Sequence, residues 1–157
     1  MDNDGDNDVL VTFDESPSRL WLNDGTGAFT DSGQSLGTGR GYGDAAFSDV
    51  DNDGDLDLLL ASTEAGGTIW FNNGNMQGGT PGIFSDSGQR LSNSMDITVG
   101  DMDGDHDLDI FTCGGLWLND GLGFFEETGM GNQVAGCRGI WLGDIDNDGD
   151  LDAFIGS

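Results

Sequence analysis

Asp49-Val50-Asp51-Asn52-Asp53-Gly54-Asp55-Leu56-Asp57, running straight into Leu58-Leu59-Leu60, is the stretch that decides how this 157-residue chain folds. It returns as Asp144-Ile145-Asp146-Asn147-Asp148-Gly149-Asp150-Leu151-Asp152 and as Asp101-Met102-Asp103-Gly104-Asp105-His106-Asp107-Leu108-Asp109. The opening residues, Met1-Asp2-Asn3-Asp4-Gly5-Asp6-Asn7-Asp8, are the same loop without its first aspartate. The closing aspartates Asp8, Asp57, Asp109 and Asp152 recur about every 48 residues, and a fixed period of that size is the signature of a repeat architecture.

Two further markers keep a constant place in the period. Leu20-Trp21-Leu22-Asn23-Asp24-Gly25 matches Ile69-Trp70-Phe71-Asn72-Asn73-Gly74 and Leu116-Trp117-Leu118-Asn119-Asp120-Gly121. Phe29-Thr-Asp-Ser-Gly33-Gln34 matches Phe84-Ser-Asp-Ser-Gly88-Gln89, with Phe124-Phe125-Glu126-Glu127 as a divergent form. Between the markers lie strand-length apolar runs, such as Val9 to Phe13, Leu58 to Ala61, Thr68 to Phe71 and Ile97 to Val99, punctuated by hairpin-turn tripeptides. No apolar spacing of helical period is sustained. The expected fold is therefore all-β: β-propeller blades of four antiparallel strands, about three of them, forming an open arc or part of a larger propeller. The expected division is a partial blade over 1–37, blades over 38–94 and 95–134, and the first two strands of a further blade over 135–157.

The aspartate loops have the chemistry of a hard-cation site. Aspartates at loop positions 1, 3, 5 and 9 surround one point with anionic oxygens, a backbone carbonyl at position 7 completes the shell, and glycine at position 6 permits the turn. The side-chain ligands predicted on this register are Asp49, Asp51, Asp53 and Asp57, then Asp101, Asp103, Asp105 and Asp109, then Asp144, Asp146, Asp148 and Asp152. Asp55, Asp107 and Asp150 supply the carbonyls, and the first loop offers Asp2, Asp4 and Asp8 with Asp6 but no position-1 ligand. Two carboxylates about 4 Å apart repel by about 4 kcal/mol at an effective dielectric of about 20, so such a loop wants a divalent cation. All-oxygen ligation favours Ca²⁺ over zinc, and a flexible shell favours it over Mg²⁺: three strong sites are expected and a fourth, incomplete one at the N-terminus. An EF-hand is excluded, because position 12 is Leu60, Thr112 or Ile155 rather than glutamate and the flanks are strand-like.

With these loops, the Trp-Leu-Asn-Asp-Gly turns and the Phe-Thr-Asp-Ser-Gly-Gln segment, the chain resembles the VCBS and FG-GAP repeats. These are calcium-loop propeller repeats also found in integrin α-subunit headpieces. The resemblance covers essentially all 157 residues. It implies calcium-stabilised blades, in secreted or cell-surface proteins, with adhesion or ligand binding as the commonest role. His106, where the other loops have glycine, is a departure from the pattern.

Composition narrows the partners. A net charge of −26, with only Arg19, Arg40, Arg90 and Arg138 as cationic side chains, argues against nucleic acid and anionic membranes, and no apolar run is long enough to span a bilayer. No signal-peptide pattern opens the sequence, so the extracellular expectation rests on the resemblance. Trp21, Trp70 and Trp117 are expected between blades rather than free to stack on sugars, with Trp141 in a different strand. Cys113 and Cys137 are compatible with one disulfide or with two thiols, and with His106 they still lack a fourth zinc ligand. His106 has no catalytic partner in the sequence and reads as an exposed turn residue. The function expected is a non-enzymatic structural, adhesion or ligand-binding module whose partners are neighbouring blades and a protein or carbohydrate ligand. The competing reading is an ancillary domain of a larger secreted carbohydrate-active enzyme, such as a polysaccharide lyase or hydrolase.

Overall fold

The structure, a computed structural model, describes residues 1–37, 41–74, 78–92, 95–130 and 137–156. Arg40, Ser157 and the expected blade boundaries at 38, 94 and 134–135 lie outside the described residues. The described residues form thirteen strands and no α-helix, and every strand pairing is antiparallel. The chain is all-β, as its short apolar runs and turn residues require.

The strands fall into four sheets, each a simple up-and-down ribbon. The first holds β1 (Val9–Val11), β2 (Arg19–Asn23) and β3 (Phe29–Asp31). The second holds β4 (Tyr42–Ser48), β5 (Asp57–Ser62), β6 (Thr68–Asn72) and β7 (Phe84–Arg90). The third holds β8 (Ile97–Gly100), β9 (Asp109–Thr112), β10 (Gly115–Asn119) and β11 (Phe125–Glu127). The fourth pairs β12 (Gly139–Gly143) with β13 (Asp152–Gly156). These sheets are the blades of an open propeller arc, and we number them one to four. One run is shorter than the sequence suggests: β1 stops at Val11, its last partner being Arg19, and Phe13 lies exposed beyond it.

Hydrophobic burial occurs between blades. Alternation along each strand sends one set of side chains to the preceding blade and the other to the following one. Leu58 and Leu60 pack with Leu20 and Leu36 of blade one, whereas Leu59 and Ala61 of the same strand pack with Ile97, Ile110 and Phe125 of blade three. That two-sided demand explains why β5 is buried at every position and reads as an unbroken apolar run. Phe111 and Ile140 continue the core between blades three and four. Trp70 and Trp117 are half-buried against the first two of these clusters, and the Trp70 indole N–H donates to Thr68 Oγ1 at 3.0 Å.

Cys113 and Cys137 form a disulfide across 5.3 Å between Cα atoms. It joins the end of β9 to the residues before β12, so it is a covalent bond between blades three and four.

Candidate metal centres

Each aspartate loop joins the first strand of a blade to the second, and its shape follows from two left-handed residues. Positions 4 and 6 have positive φ in every copy: Asn3 and Gly5, Asn52 and Gly54, Gly104 and His106, Asn147 and Gly149. The third loop exchanges the residue types. Glycine occupies position 4 at φ 80° and His106 takes position 6 at φ 77°, so the departure leaves the turn intact at the cost of a side chain in the left-handed region. His106 is exposed, with Nδ1 3.4 Å from Asp101 Oδ2.

The position-1 carboxylate organises the turn from inside. Asp49 accepts the N–H groups of Asp53 and Gly54 at 3.0 Å each, and Asp144 accepts those of Asp148 and Gly149 at 3.1 Å each. In the third loop Asp101 accepts Gly104 and His106 instead, at 2.8 and 3.1 Å. Carboxylates then converge. Oxygens of Asp49, Asp51 and Asp53 lie within 4.8 Å of one another, as do those of Asp101, Asp103 and Asp109 and those of Asp144, Asp146 and Asp152. Three of the four expected side-chain ligands are thus brought together in each of these loops. Asp57, Asp105 and Asp148 stand outside the trios; Asp105 and Asp148 cap the N–H groups of Asp107 and Asp150. In the first loop Asp2 and Asp4 cap the N–H groups two residues on, and among the described residues Asp2, Asp4 and Asp8 form no such trio.

Position 9 has a second task that spacing alone did not reveal. One oxygen of Asp57 accepts Val50 N–H at 3.0 Å and the other accepts Asn72 N–H at 2.9 Å, which ties the loop to the tryptophan-bearing strand. Asp109 does the same with Met102 and Asn119, at 2.8 and 2.9 Å, and Asp152 accepts Ile145 N–H at 2.9 Å. In the first loop Asp8 accepts the Met1 amino group at 2.8 Å and Asn23 N–H at 2.9 Å. The ionisation of these equivalents follows their surroundings. Burial pushes Asp57 up to about 7, its two N–H partners opposing and Asp51 and Asp53 adding to the rise. Burial likewise raises Asp109, against its two N–H bonds and with the help of Asp103 and Asp105. Burial also acts upward on Asp8, but the hydrogen bond and charge of the Met1 amino group, with Asn23 N–H, hold it below the ordinary range. Where a cation is at hand the buried carboxylate stays ionised; where none is, it resists ionisation. A carboxylate oxygen that accepts one N–H keeps a lone pair for a metal, so the donor sets fit a divalent cation with oxygen preference.

Position 7 explains the glycine of the Asn-Asp-Gly turns. A Cβ on Gly25, Gly74 or Gly121 would overlap the carboxylate of Asp6, Asp55 or Asp107 in the same blade. Two of those carboxylates also bridge blades: the Asn3 amide donates to Asp55 Oδ1, and the Asn52 amide donates to Asp107 Oδ1 at 2.8 Å.

Consecutive loops are therefore built alike, and the sequence comparison delimits the same unit. A profile of FG-GAP-like repeats matches residues 1–60 and again 49–112. The chain belongs to the FG-GAP-like repeat family. The two matched segments share 49–60, the second loop and the start of β5, so each FG-GAP-like unit runs from one aspartate loop through the next. No curated protein sequence matches the chain. No helix among the described residues is long and apolar enough to cross a membrane.

The FG-GAP-like blades are stitched by the asparagines that open the hairpin-turn tripeptides and by the glutamines that end the Phe-Thr-Asp-Ser-Gly-Gln and Phe-Ser-Asp-Ser-Gly-Gln segments. Asn72 Nδ2 donates to the Met1 carbonyl of the preceding loop at 3.0 Å, and Asn119 Nδ2 donates to the Val50 carbonyl at 2.8 Å. Gln34 grips the next blade with both ends of its amide, donating to the Gly82 carbonyl at 2.7 Å and accepting Phe84 N–H at 2.8 Å. Gln89 repeats the grip on Gly123 and Phe125, at 2.6 and 2.8 Å. The recurrence of Asn after Trp-Leu or Trp-Phe, and of Gln after Ser-Gly, is the signal in the sequence.

Proposed function

We propose that this chain is a calcium-stiffened stack of FG-GAP-like blades with a structural, adhesive or ligand-binding role in a secreted or cell-surface protein, and that it is not an enzyme. The observation that carries the calcium reading is the convergence of three carboxylates within 4.8 Å in each of three loops, beside position-9 aspartates that burial keeps from ionising easily. Bound calcium would be held by Asp49, Asp51 and Asp53, by Asp101, Asp103 and Asp109, and by Asp144, Asp146 and Asp152, and would supply the positive charge these groups lack. The disulfide supports an oxidising compartment. A non-catalytic role is supported by the aspartates, whose carboxylates are engaged in holding loop N–H groups. The net charge of −26 favours protein or carbohydrate partners over nucleic acid.

Calorimetric calcium titration tests the proposal, with three comparable sites expected and a weaker one in the first loop. Extracellular calcium modules have dissociation constants of about 10⁻⁴ to 10⁻³ M, so about 1 mM calcium stabilises by about 0.4 to 1.4 kcal/mol per site. Three independent sites then contribute about 1 to 4 kcal/mol, which chelation removes and magnesium restores poorly because it demands a tighter octahedral shell. Superimposable urea melts with and without chelator would defeat the calcium reading.

A further inference from the structure

The aspartate loops of blades two and three are tied together by two side-chain amides, and each amide acts on backbone or side chain lying between expected calcium ligands. Asn52 stands between Asp51 and Asp53 of loop two, and its Nδ2 donates to Asp107 Oδ1 at 2.8 Å and to the Gly121 carbonyl at 3.3 Å. Asp107 is position 7 of loop three, the residue whose carbonyl is expected on the cation. Asn119 holds the two loops at a fixed spacing: its Nδ2 donates to the Val50 carbonyl of loop two at 2.8 Å and to the Leu108 carbonyl of loop three at 3.0 Å. Val50 lies between Asp49 and Asp51, and Leu108 between Asp107 and Asp109.

Loops three and four lack the first of these links. Position 4 of loop three is Gly104, which has no amide to offer Asp150 at position 7 of loop four. The Cys113–Cys137 disulfide fastens blades three and four at the other end of β9, away from the loops.

A loop of this kind has two states that such a link can bias. Without a cation, carboxylates whose oxygens lie within 4.8 Å of one another repel and push the loop open; with one, they converge. When loop two is filled, Asn52 is held by a ligand on either side and keeps its amide on Asp107. Part of the ordering of loop three is then complete before its own cation arrives, which raises its affinity. The direct field acts in the opposite sense, because a cation in one loop repels the cation of the next. That field is screened over about 8 Å at physiological ionic strength, whereas the hydrogen bond is not.

We propose that loops two and three bind calcium cooperatively, with Asn52 as the coupling residue, and that loop four fills independently of them. This coupling rests on the calcium reading proposed above and adds to it how the sites communicate. By linkage, each of the two loops raises the affinity of the other by the same factor.

Amide NMR of the 157-residue chain, titrated with calcium chloride in about 0.5 M salt to suppress the direct field, tests it. The N–H groups of Gly54, Gly104 and Gly149, each donated to the position-1 aspartate of its own loop, report loops two, three and four separately. Asp53→Asn takes a ligand from loop two yet keeps an acceptor for Asp55 N–H, and Asp51→Asn disables the same loop independently. Either change should weaken calcium binding at loop three by about fivefold or more and leave loop four within about twofold. Asn52→Gly keeps the left-handed turn, since glycine is the residue loop three itself has at position 4. In that background Asp53→Asn should alter loop three by less than about twofold. Gly104→Asn, at a left-handed position where a Cβ meets open space, should install the missing link, so that disabling loop three with Asp103→Asn then weakens loop four.

If all three loops bind and disabling loop two leaves loop three within about twofold, the coupling is wrong and the calcium reading stands. A loss at loop three that persists in the Asn52→Gly background, or an equal loss at loop four in the wild-type background, also overturns the proposal. If none of the three glycine N–H groups shifts at about 10 mM calcium, well above the dissociation constants of extracellular modules, the calcium reading falls and the coupling with it.

Discussion

Replacing Asn119 by alanine should destabilise this protein severely, while the same change at Asn23 should scarcely register. Both residues close a Leu-Trp-Leu-Asn strand and both begin an Asn-Asp-Gly turn. The Asn119 amide is buried and saturated: it donates to the Val50 and Leu108 carbonyls at 2.8 and 3.0 Å and accepts the Gly121 and Gly123 N–H groups at 3.2 and 3.1 Å. In blade one the Asn23 side chain accepts Gly25 N–H at 3.3 Å. At about 1 kcal/mol per hydrogen bond, alanine at 119 costs about 4 kcal/mol and alanine at 23 about 1 kcal/mol or less. Asn119→Asp should be at least as damaging as alanine, since a carboxylate of the same shape would face two carbonyl oxygens. Urea unfolding in saturating calcium reads the difference; with an m-value of about 2 kcal/mol/M, Asn119→Ala moves the midpoint down by about 2 M. If the two alanine variants fall within about 0.5 kcal/mol of each other, the links between blades contribute nothing and the account of the stack given above is wrong.

Gly74→Ala forces a Cβ onto the buried Asp55 carboxylate and should cost about 1 to 3 kcal/mol in the same assay, whereas Gly143→Ala, which meets open space, should stay close to wild type. Replacing Cys113 and Cys137 by serine opens a link spanning 24 residues and should lower stability by about 3 kcal/mol; a reductant should then affect the wild type and leave the double variant unchanged. Burial, and the hydrogen bond that the protonated Asp44 carboxyl donates to Asp96, raise Asp44 above the ordinary carboxylate range. A folded-state pKa above the unfolded one means that the folded chain holds the extra proton, so stability falls as pH rises from about 4 through the folded-state pKa. In saturating calcium, which keeps the loop carboxylates ionised, urea midpoints should fall as pH rises from about 4 through the raised folded-state pKa of Asp44. Asp96→Asn, which removes the second carboxyl yet keeps an acceptor for Ile140 N–H, should flatten the trend, and a wild-type midpoint that climbs over this range would contradict the assignment.

What the sequence makes legible is whatever a single blade needs for itself. Val50 to Asp57 must turn sharply around carboxylates, and Leu58 to Ala61 must be apolar on both faces, so the loop, the strand after it and the period all show in one dimension. Contacts between blades are written in ambiguous letters. Asn119 is both a turn former and a donor to Val50, 69 residues away, and only the second role needs the neighbouring blade in place. Gln89 looks like a solvated residue after Ser-Gly until Phe125 N–H is seen to meet it. The third loop shows the same limit in miniature: the histidine at position 6 is visible as a lost glycine, but the glycine gained at position 4 has meaning only once both positions prove left-handed. That exchange has a consequence for the stack. Gly104 has no amide to reach the following loop as Asn3 and Asn52 do, so the junction between blades three and four lacks the loop-to-loop bond of the other two. It is at this junction that Cys113 is bonded to Cys137 and that Asp96 takes Ile140 N–H. In a linear array, stability rests on each nearest-neighbour interface in turn, and the junction without the loop-to-loop amide bond is the one that carries a covalent bond.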